Sequence, residues 1–238
     1  TFTGMYYIAT YSVKSAKFTN CIFDREDSRA VLVYSHGDNP CVVTLEGCTF
    51  KAKAKGFTGA GAWTAAVEID TTNIPSEGTT VTITNCTADE NYSGIVRDKS
   101  AAGKANAVIT VDGLTYVSEG VWKDAEGNYV VTNGDELNAT IKVAEANSTI
   151  KLLAGTYEGV EMAGKIASGL TIQGTEDAIV KGIKCNLKSF TTGSELEGMT
   201  FKNVSFKEKG IYFVDVAGSP WGFVKNFTMT ECTMTGSG

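Results

Sequence analysis

The densest run of titratable side chains in the chain is Asp24-Arg-Glu-Asp-Ser-Arg29. Its three carboxylates, Asp24, Glu26 and Asp27, are hard oxygen donors of the kind calcium takes, although no spaced ligand loop surrounds them. His36, in Ser35-His-Gly-Asp38, is the one histidine and the side chain whose ordinary titration falls near neutral pH. No nucleophile or carboxylate partner is identifiable for it by sequence, and it reads as a polar turn residue. Trp63, Trp122 and Trp221 lie in Gly-rich or polar stretches, where an exposed ring can stack on a sugar or anchor a protein partner. The glycines of 56–63 lack the Lys-Ser/Thr of a phosphate cradle. None of these is a catalytic signature, and no residue is assigned a catalytic role.

What must position these groups is a repeat. One template recurs as Phe18-Thr-Asn-Cys21-Ile-Phe23, Leu45-Glu-Gly-Cys48-Thr-Phe50, Ile83-Thr-Asn-Cys86-Thr-Ala88, Val111-Asp-Gly-Leu114-Thr-Tyr116, Phe201-Lys-Asn-Val204-Ser-Phe206 and Met229-Thr-Glu-Cys232-Thr-Met234. Its first, fourth and sixth places are mostly apolar and its third is polar or Gly. Cys21, Cys48, Cys86 and Leu114 stand 27, 38 and 28 residues apart, and Val204 and Cys232 stand 28 apart. A second pattern of small, aliphatic, any, apolar precedes several of these slots, as in Ala30-Val-Leu-Val33 and Ala66-Val-Glu-Ile69. Each unit therefore holds at least two short strands and no helix. Similar strands at near-constant spacing predict a solenoid, in which each repeat buries its inner face against its neighbours. Parallel strands about 4.8 Å apart would then align equivalent residues, making Cys21, Cys48, Cys86 and Leu114, and likewise Val204 and Cys232, interior ladders.

Four of the six cysteines occupy that ladder, where a free thiol behaves as a small hydrophobe. Without a C-x-x-C pair and with one His, a structural zinc site is not expected. Of the glycosylation sequons, Asn85 and Asn203 fall in the repeat slot, which fits turn geometry. A net charge of -6 argues against nucleic acid, because phosphate binding needs a clustered basic face. No apolar run approaches the roughly 18–20 residues that a helix needs to span a bilayer. The chain opens at Thr1 with no leader-like segment, which reads as a mature fragment or an excised domain.

These repeats resemble the right-handed parallel β-helix proteins of the pectate-lyase-like superfamily, and among them bacterial surface or adhesin-type β-helix repeats. Gly134-Asp135-Glu136-Leu137, followed by Thr149-Ile150-Lys151-Leu152 and Gly155-Thr156-Tyr157, resembles the amino-terminal cap and first coil of such domains. The resemblance implies an all-β, right-handed parallel β-helix with a short capping helix near 135–145. Asn133 or Asp135 can N-cap that helix, and Leu137, Ile141 and Ala144 share one of its faces. Lyases of the superfamily use an Arg or Lys base beside acidic calcium ligands, to which only the 24–29 run corresponds. That turn carries Lys51 and then Asp89-Glu90 in later repeats, so it reads as a ladder of surface charge. The paired carboxylates of a glycoside hydrolase have no adjacent Asp-Asp counterpart here.

A start signal in mid-chain divides the protein. Residues 1–118 read as the carboxy-terminal part of one β-helix with an open amino-terminal end, 119–132 as a connector, and 133–238 as a capped β-helix with an open carboxy-terminal end. The expected assembly ends are Gly4, Met5, Tyr6 and Tyr7 at one side and Phe227, Met229, Cys232 and Met234 at the other. The interval from Cys232 to residue 238 and on to Cys21 of another copy is again 27 residues. The expectation is an extracellular or cell-surface structural protein, bacterial in type, stacked tail to head with copies of itself as a filament or adhesin array. Whether it is an enzyme is left open. No cofactor beyond calcium is expected, and surface glycans are the further partner. A carbohydrate-binding or polysaccharide-degrading module is the alternative.

Overall fold

The computed structural model describes residues 1–3, 7–10, 13–25, 29–33, 40–53, 65–69, 78–98, 107–164, 166–186, 195–214 and 223–236. The chain forms two compact units, Thr1–Glu119 and Gly120–Gly238. Both are built mostly of short strands in parallel sheets.

In the first unit three parallel sheets repeat in order along the chain. One holds Phe2–Thr3, Ile22–Arg25, Thr49–Ala52 and Thr87–Ala88; a second holds Ile8–Ala9, Val31–Val33, Ala65–Ile69 and Gly94–Asp98. The third pairs Ser15–Thr19 with Val42–Glu46, Thr80–Thr84 and Val108–Val111. Register aligns like with like: Phe2 beside Phe23 beside Phe50, and Val43 beside Val81 beside Ile109. Phe23, Phe50, Val43 and Val81 are fully buried. Because strand side chains alternate, the same strands put Thr, Lys and Glu outward.

The corner between the third sheet and the first is one left-handed residue per repeat: Asn20, Gly47 and Asn85, with φ of 52°, 60° and 51°. Asn and Gly tolerate that region best, which is why the third place of the template is polar or Gly. The fourth copy of the template behaves differently. Asp112 and Gly113 both have positive φ, 47° and 83°, as a type I′ hairpin turn requires. Leu114–Ser118 therefore returns antiparallel to Val108–Val111, and Leu114 is half-buried outside the parallel stack.

The second unit opens with strands Val121–Lys123 and Tyr129–Val131 paired antiparallel, so the stretch expected as a connector carries core residues of its own in Val121 and Tyr129. The helix Gly134–Val143 follows. Asn133 is its N-cap, its Oδ1 accepting from the Glu136 N–H at 2.9 Å, while the Glu136 carboxylate reaches back to accept from the Thr132 N–H at 2.7 Å. Leu137 and Ile141 are buried against the core, and Ala144 is almost so. Parallel sheets come next: Tyr129–Val131 with Thr149–Leu152, Thr171–Gly174, Thr200–Lys202 and Thr228–Thr230; Gly155–Tyr157 with Ala178–Val180, Ser205–Lys207 and Thr233–Thr235; and Val160–Met162 with Ile183–Asn186 and Ile211–Val214. Glu195–Glu197 pairs with Phe223–Lys225. Left-handed corners recur at Asn147, Gly169, Gly198 and Asn226, and again at Asn203 and Glu231.

Candidate functional site

The acidic run is divided by strand alternation. In Ile22–Arg25, Ile22 and Asp24 face outward while Phe23 and Arg25 face inward. Arg25 is fully buried, its guanidinium 5.9 Å from the centre of the Phe23 ring; burial lowers its pKa, and the nearby Tyr92 partly opposes that. The expectation of a surface charge ladder is thus corrected at Arg25. Asp24 lies beside Lys51 in register, and Arg29 pairs with the fully buried Glu68 at 3.1 Å. Glu26 and Asp27 lie outside the described residues, as do His36, Trp63, Trp221, Gly4, Met5 and Tyr6. Among the described residues no group of three or more His, Cys, Asp or Glu side chains converges as a metal site, and no helix is long and apolar enough to cross a membrane.

Trp122 lies in the first strand of the second unit, half-buried and paired with Val130. The ladder residues divide by position. Cys48 and Val204 are buried, whereas Cys21, Cys86 and Cys232 are half-buried. Each of the four thiols donates to the carbonyl two residues before it, from Cys21 to Thr19 through Cys232 to Thr230. All six cysteines are free.

The expected assembly ends show the clearest departure from a closed surface. In the second unit the column Tyr157, Val180, Phe206 is fully buried, yet its next member, Met234, is 63% exposed. The column Ile150, Ile172, Phe201 likewise ends in Met229, 40% exposed. Phe227 and Cys232 are half-buried beside them. In the first unit the Phe50, Phe23 column ends in Phe2, 37% exposed, and Tyr7 is exposed with the Arg29 guanidinium over its ring. Phe2, Met229 and Met234 lie on strands that stand last in their sheets among the described residues.

No family model matches the chain, and no curated protein or solved structure matches it.

A second feature lies along one corner of the second unit. A cleft of about 240 Å³ is lined by Glu158, Val160, Lys181, Glu208, Lys209 and Tyr212, together with Gly159 and Gly182. Lys181 stands 2.6 Å from Glu158 and 3.4 Å from Glu208, and its hydrogen bond to Glu158, reinforced by both negative charges, raises its pKa. Lys209 lies over the exposed Tyr212 ring at 5.6 Å. The arrangement supplies hydrogen-bonding groups next to a flat ring, which suits shallow contact with a hydroxylated ligand. Sequence reading missed it because its charges are far apart along the chain; their recurrence at successive corners was the available signal.

Proposed function

We propose that both units are stretches of right-handed parallel β-helix, and that the protein is a structural subunit or segment of an extracellular fibre or array assembled by end-to-end stacking of coils. The observation that carries this reading is Met234: it continues a column whose three other members are fully buried, yet it is 63% exposed. Covering an apolar side chain of this size is worth about 1.5–3 kcal/mol, and Met229 and Phe2 add to it. The strands that carry them also leave one row of backbone hydrogen-bonding groups open, the usual template for a further strand. Contact between two different ends is heterologous, and where its rotation does not close into a ring it generates a filament. Exposed apolar positions on edge strands fit a structural role, and the helix Gly134–Val143 packs over the opposite end of the second unit's sheets.

The test is a concentration series of the purified chain by light scattering and negative-stain microscopy, beside Met234→Lys. Mass that grows with concentration into thin fibres, and that the variant abolishes, is the expected result. A wild-type chain that stays monodisperse at every concentration overturns the reading.

The cleft favours a second reading, a sugar-binding flank resting on Tyr212 and the Glu158–Lys181–Glu208 ladder. Glycan-array binding that Tyr212→Ala removes would support it; an array with no signal would end it.

A further inference from the structure

Two thiols of the first unit stand side by side at one corner of adjacent repeats. Thr87 pairs in parallel register with Thr49, and the Thr87 N–H donates to the Cys48 carbonyl at 2.9 Å, so Cys86 and Cys48 are neighbours across the stack. Their side chains take the same course. The Cys48 thiol donates to the Glu46 carbonyl at 3.6 Å and the Cys86 thiol to the Thr84 carbonyl at 3.4 Å, each two residues back. Side chains of like conformation on strands in register are separated by the strand spacing, about 4.8 Å. The Cys48 N–H also donates to the Cys86 sulfur at 3.2 Å, so that sulfur lies over the Cys48 backbone. Cys48 is buried, Cys86 is half-buried, and both are free.

That spacing separates what two thiols can do together. A disulfide needs its sulfurs about 2.05 Å apart and its Cβ atoms about 3.8 Å apart, which side chains held parallel at strand spacing do not reach without backbone movement. A cation held between two sulfurs needs them two metal–thiolate bonds apart, about 4.6 Å for bonds of about 2.3 Å. The direction fits as well as the distance. Strand side chains stand roughly perpendicular to the sheet, whereas the neighbouring repeat lies along it, so a cation midway between the sulfurs meets each Cβ–Sγ bond near a right angle. Zinc takes four ligands and calcium six to eight, and among the described residues no group of three or more His, Cys, Asp or Glu side chains converges. Two thiolates alone suit a soft ion content with linear coordination, and thiolate sulfur selects copper(I).

We propose that Cys48 and Cys86 form a two-coordinate thiolate site for a soft monovalent cation, copper(I). On binding, the two S–H bonds break, both protons pass to solvent and two sulfur–copper bonds form, with no change in oxidation state. The resulting pair carries one net negative charge, and the Cys48 N–H already directed at the Cys86 sulfur partly offsets it. The half-buried Cys86 gives the ion its way in, while the buried Cys48 holds it away from water. The site lies within the repeat stack and is independent of the assembly proposed above.

The test is a titration of the reduced full chain, without oxygen, against a chromophoric chelator loaded with copper(I). One equivalent should pass to the protein, and X-ray absorption should show two sulfurs in linear coordination. Cys86→Ser should abolish the transfer, whereas Cys21→Ser, Cys41→Ser and Cys185→Ser should retain it, with circular dichroism confirming the fold of each. Should Cys86→Ser fail to fold, alkylation of the wild-type chain decides: copper(I) should protect Cys86 while Cys21 and Cys232 still react. No transfer to the wild-type chain overturns the proposal, as does transfer that folded Cys86→Ser retains, or alkylation of Cys86 unchanged by copper(I). Coordination by three sulfurs that Cys21→Ser reduces to two also overturns it, and so does a Cys48–Cys86 disulfide found by peptide mapping of the unreduced chain.

Discussion

The side-chain oxygen of Asn20 lies directly against Gly47 on the neighbouring repeat, where a Cβ would have to stand. Asn147 and Gly169 repeat the relationship in the second unit. Both glycines are left-handed, at φ 60° and 73°. Gly47→Ala therefore carries two penalties, about 1–2 kcal/mol for the backbone and a further cost for expelling the amide. Gly113, at φ 83° with open space around it, carries only the first. Thermal unfolding should show Gly47→Ala as the more destabilised of the two variants; equal shifts would mean that the Asn20 contact contributes nothing.

Acid should weaken the hairpin that opens the second unit. Burial alone would push the Asp124 carboxyl up, but the Lys151 ammonium at 2.6 Å, with the Asn128 backbone N–H at 2.9 Å, outweighs it and holds the pKa at about 2. An unfolded Asp titrates near about 3.9. A carboxylate depressed in the folded state contributes stability in full above its unfolded pKa and loses it as pH falls through its folded value. Wild type should thus exceed Asp124→Asn in melting temperature at pH 6, with the gap closing between about pH 4 and pH 2. A gap that is constant across that window would show that the carboxylate charge is not what holds the turn.

Thiol reactivity should divide the cysteines by repeat position. Burial pushes the Cys185 thiol up to about 11, and burial raises Cys41 and Cys86 as well, with hydrogen bonds from Thr10 and Cys48 respectively opposing it. Cys41, Cys48 and Cys185 are buried, while Cys21, Cys86 and Cys232 are half-buried. A thiolate-trapping reagent at pH 8 should label the second group before the first, with Cys185 last, and urea should equalise all six. Early labelling of Cys185 under native conditions would contradict its placement in the core.

Much of this was legible because it depends on short-range pattern. The recurrence of Asn or Gly at the third place of the template reports the left-handed corner, a demand of one residue on itself. Asp112-Gly113 was equally local, yet it satisfied the repeat template and the hairpin signal at once, and only the positive φ of both residues separates the two. Arg25 was harder, since whether a strand turns its odd or even side chains inward depends on pairing with Thr49–Ala52, 27 residues on in register. The half-burial of Cys21 and Cys232 depends on what covers their repeats, which no residue in the template encodes. Glu158, Lys181 and Glu208 each follow the last residue of one strand, at Tyr157, Val180 and Lys207, and meet only because those strands stack in register, so the signal lies in the corner's recurrence and not in any one charge.

The helix Gly134–Val143, which packs on Tyr129–Val131, Gly155–Tyr157 and Val160–Met162, offers a separable check on this local reading. Asn133 accepts from the Glu136 N–H, and Glu136 accepts in return from the Thr132 N–H and hydroxyl. Leu137, fully buried, carries the packing. Asn133→Ala should cost about 1 kcal/mol, the ordinary value of an N-cap, whereas Leu137→Ala should cost about 2–5 kcal/mol because it empties part of the core. Denaturant unfolding monitored at Trp122, which lies in the adjoining hairpin, would order the two. If Asn133→Ala proves as damaging as Leu137→Ala, the helix holds its place through its terminus more than its apolar face. The docking of the helix would then rest on hydrogen bonds, and it would fail in step with the loss of the Glu136 carboxylate in Glu136→Gln.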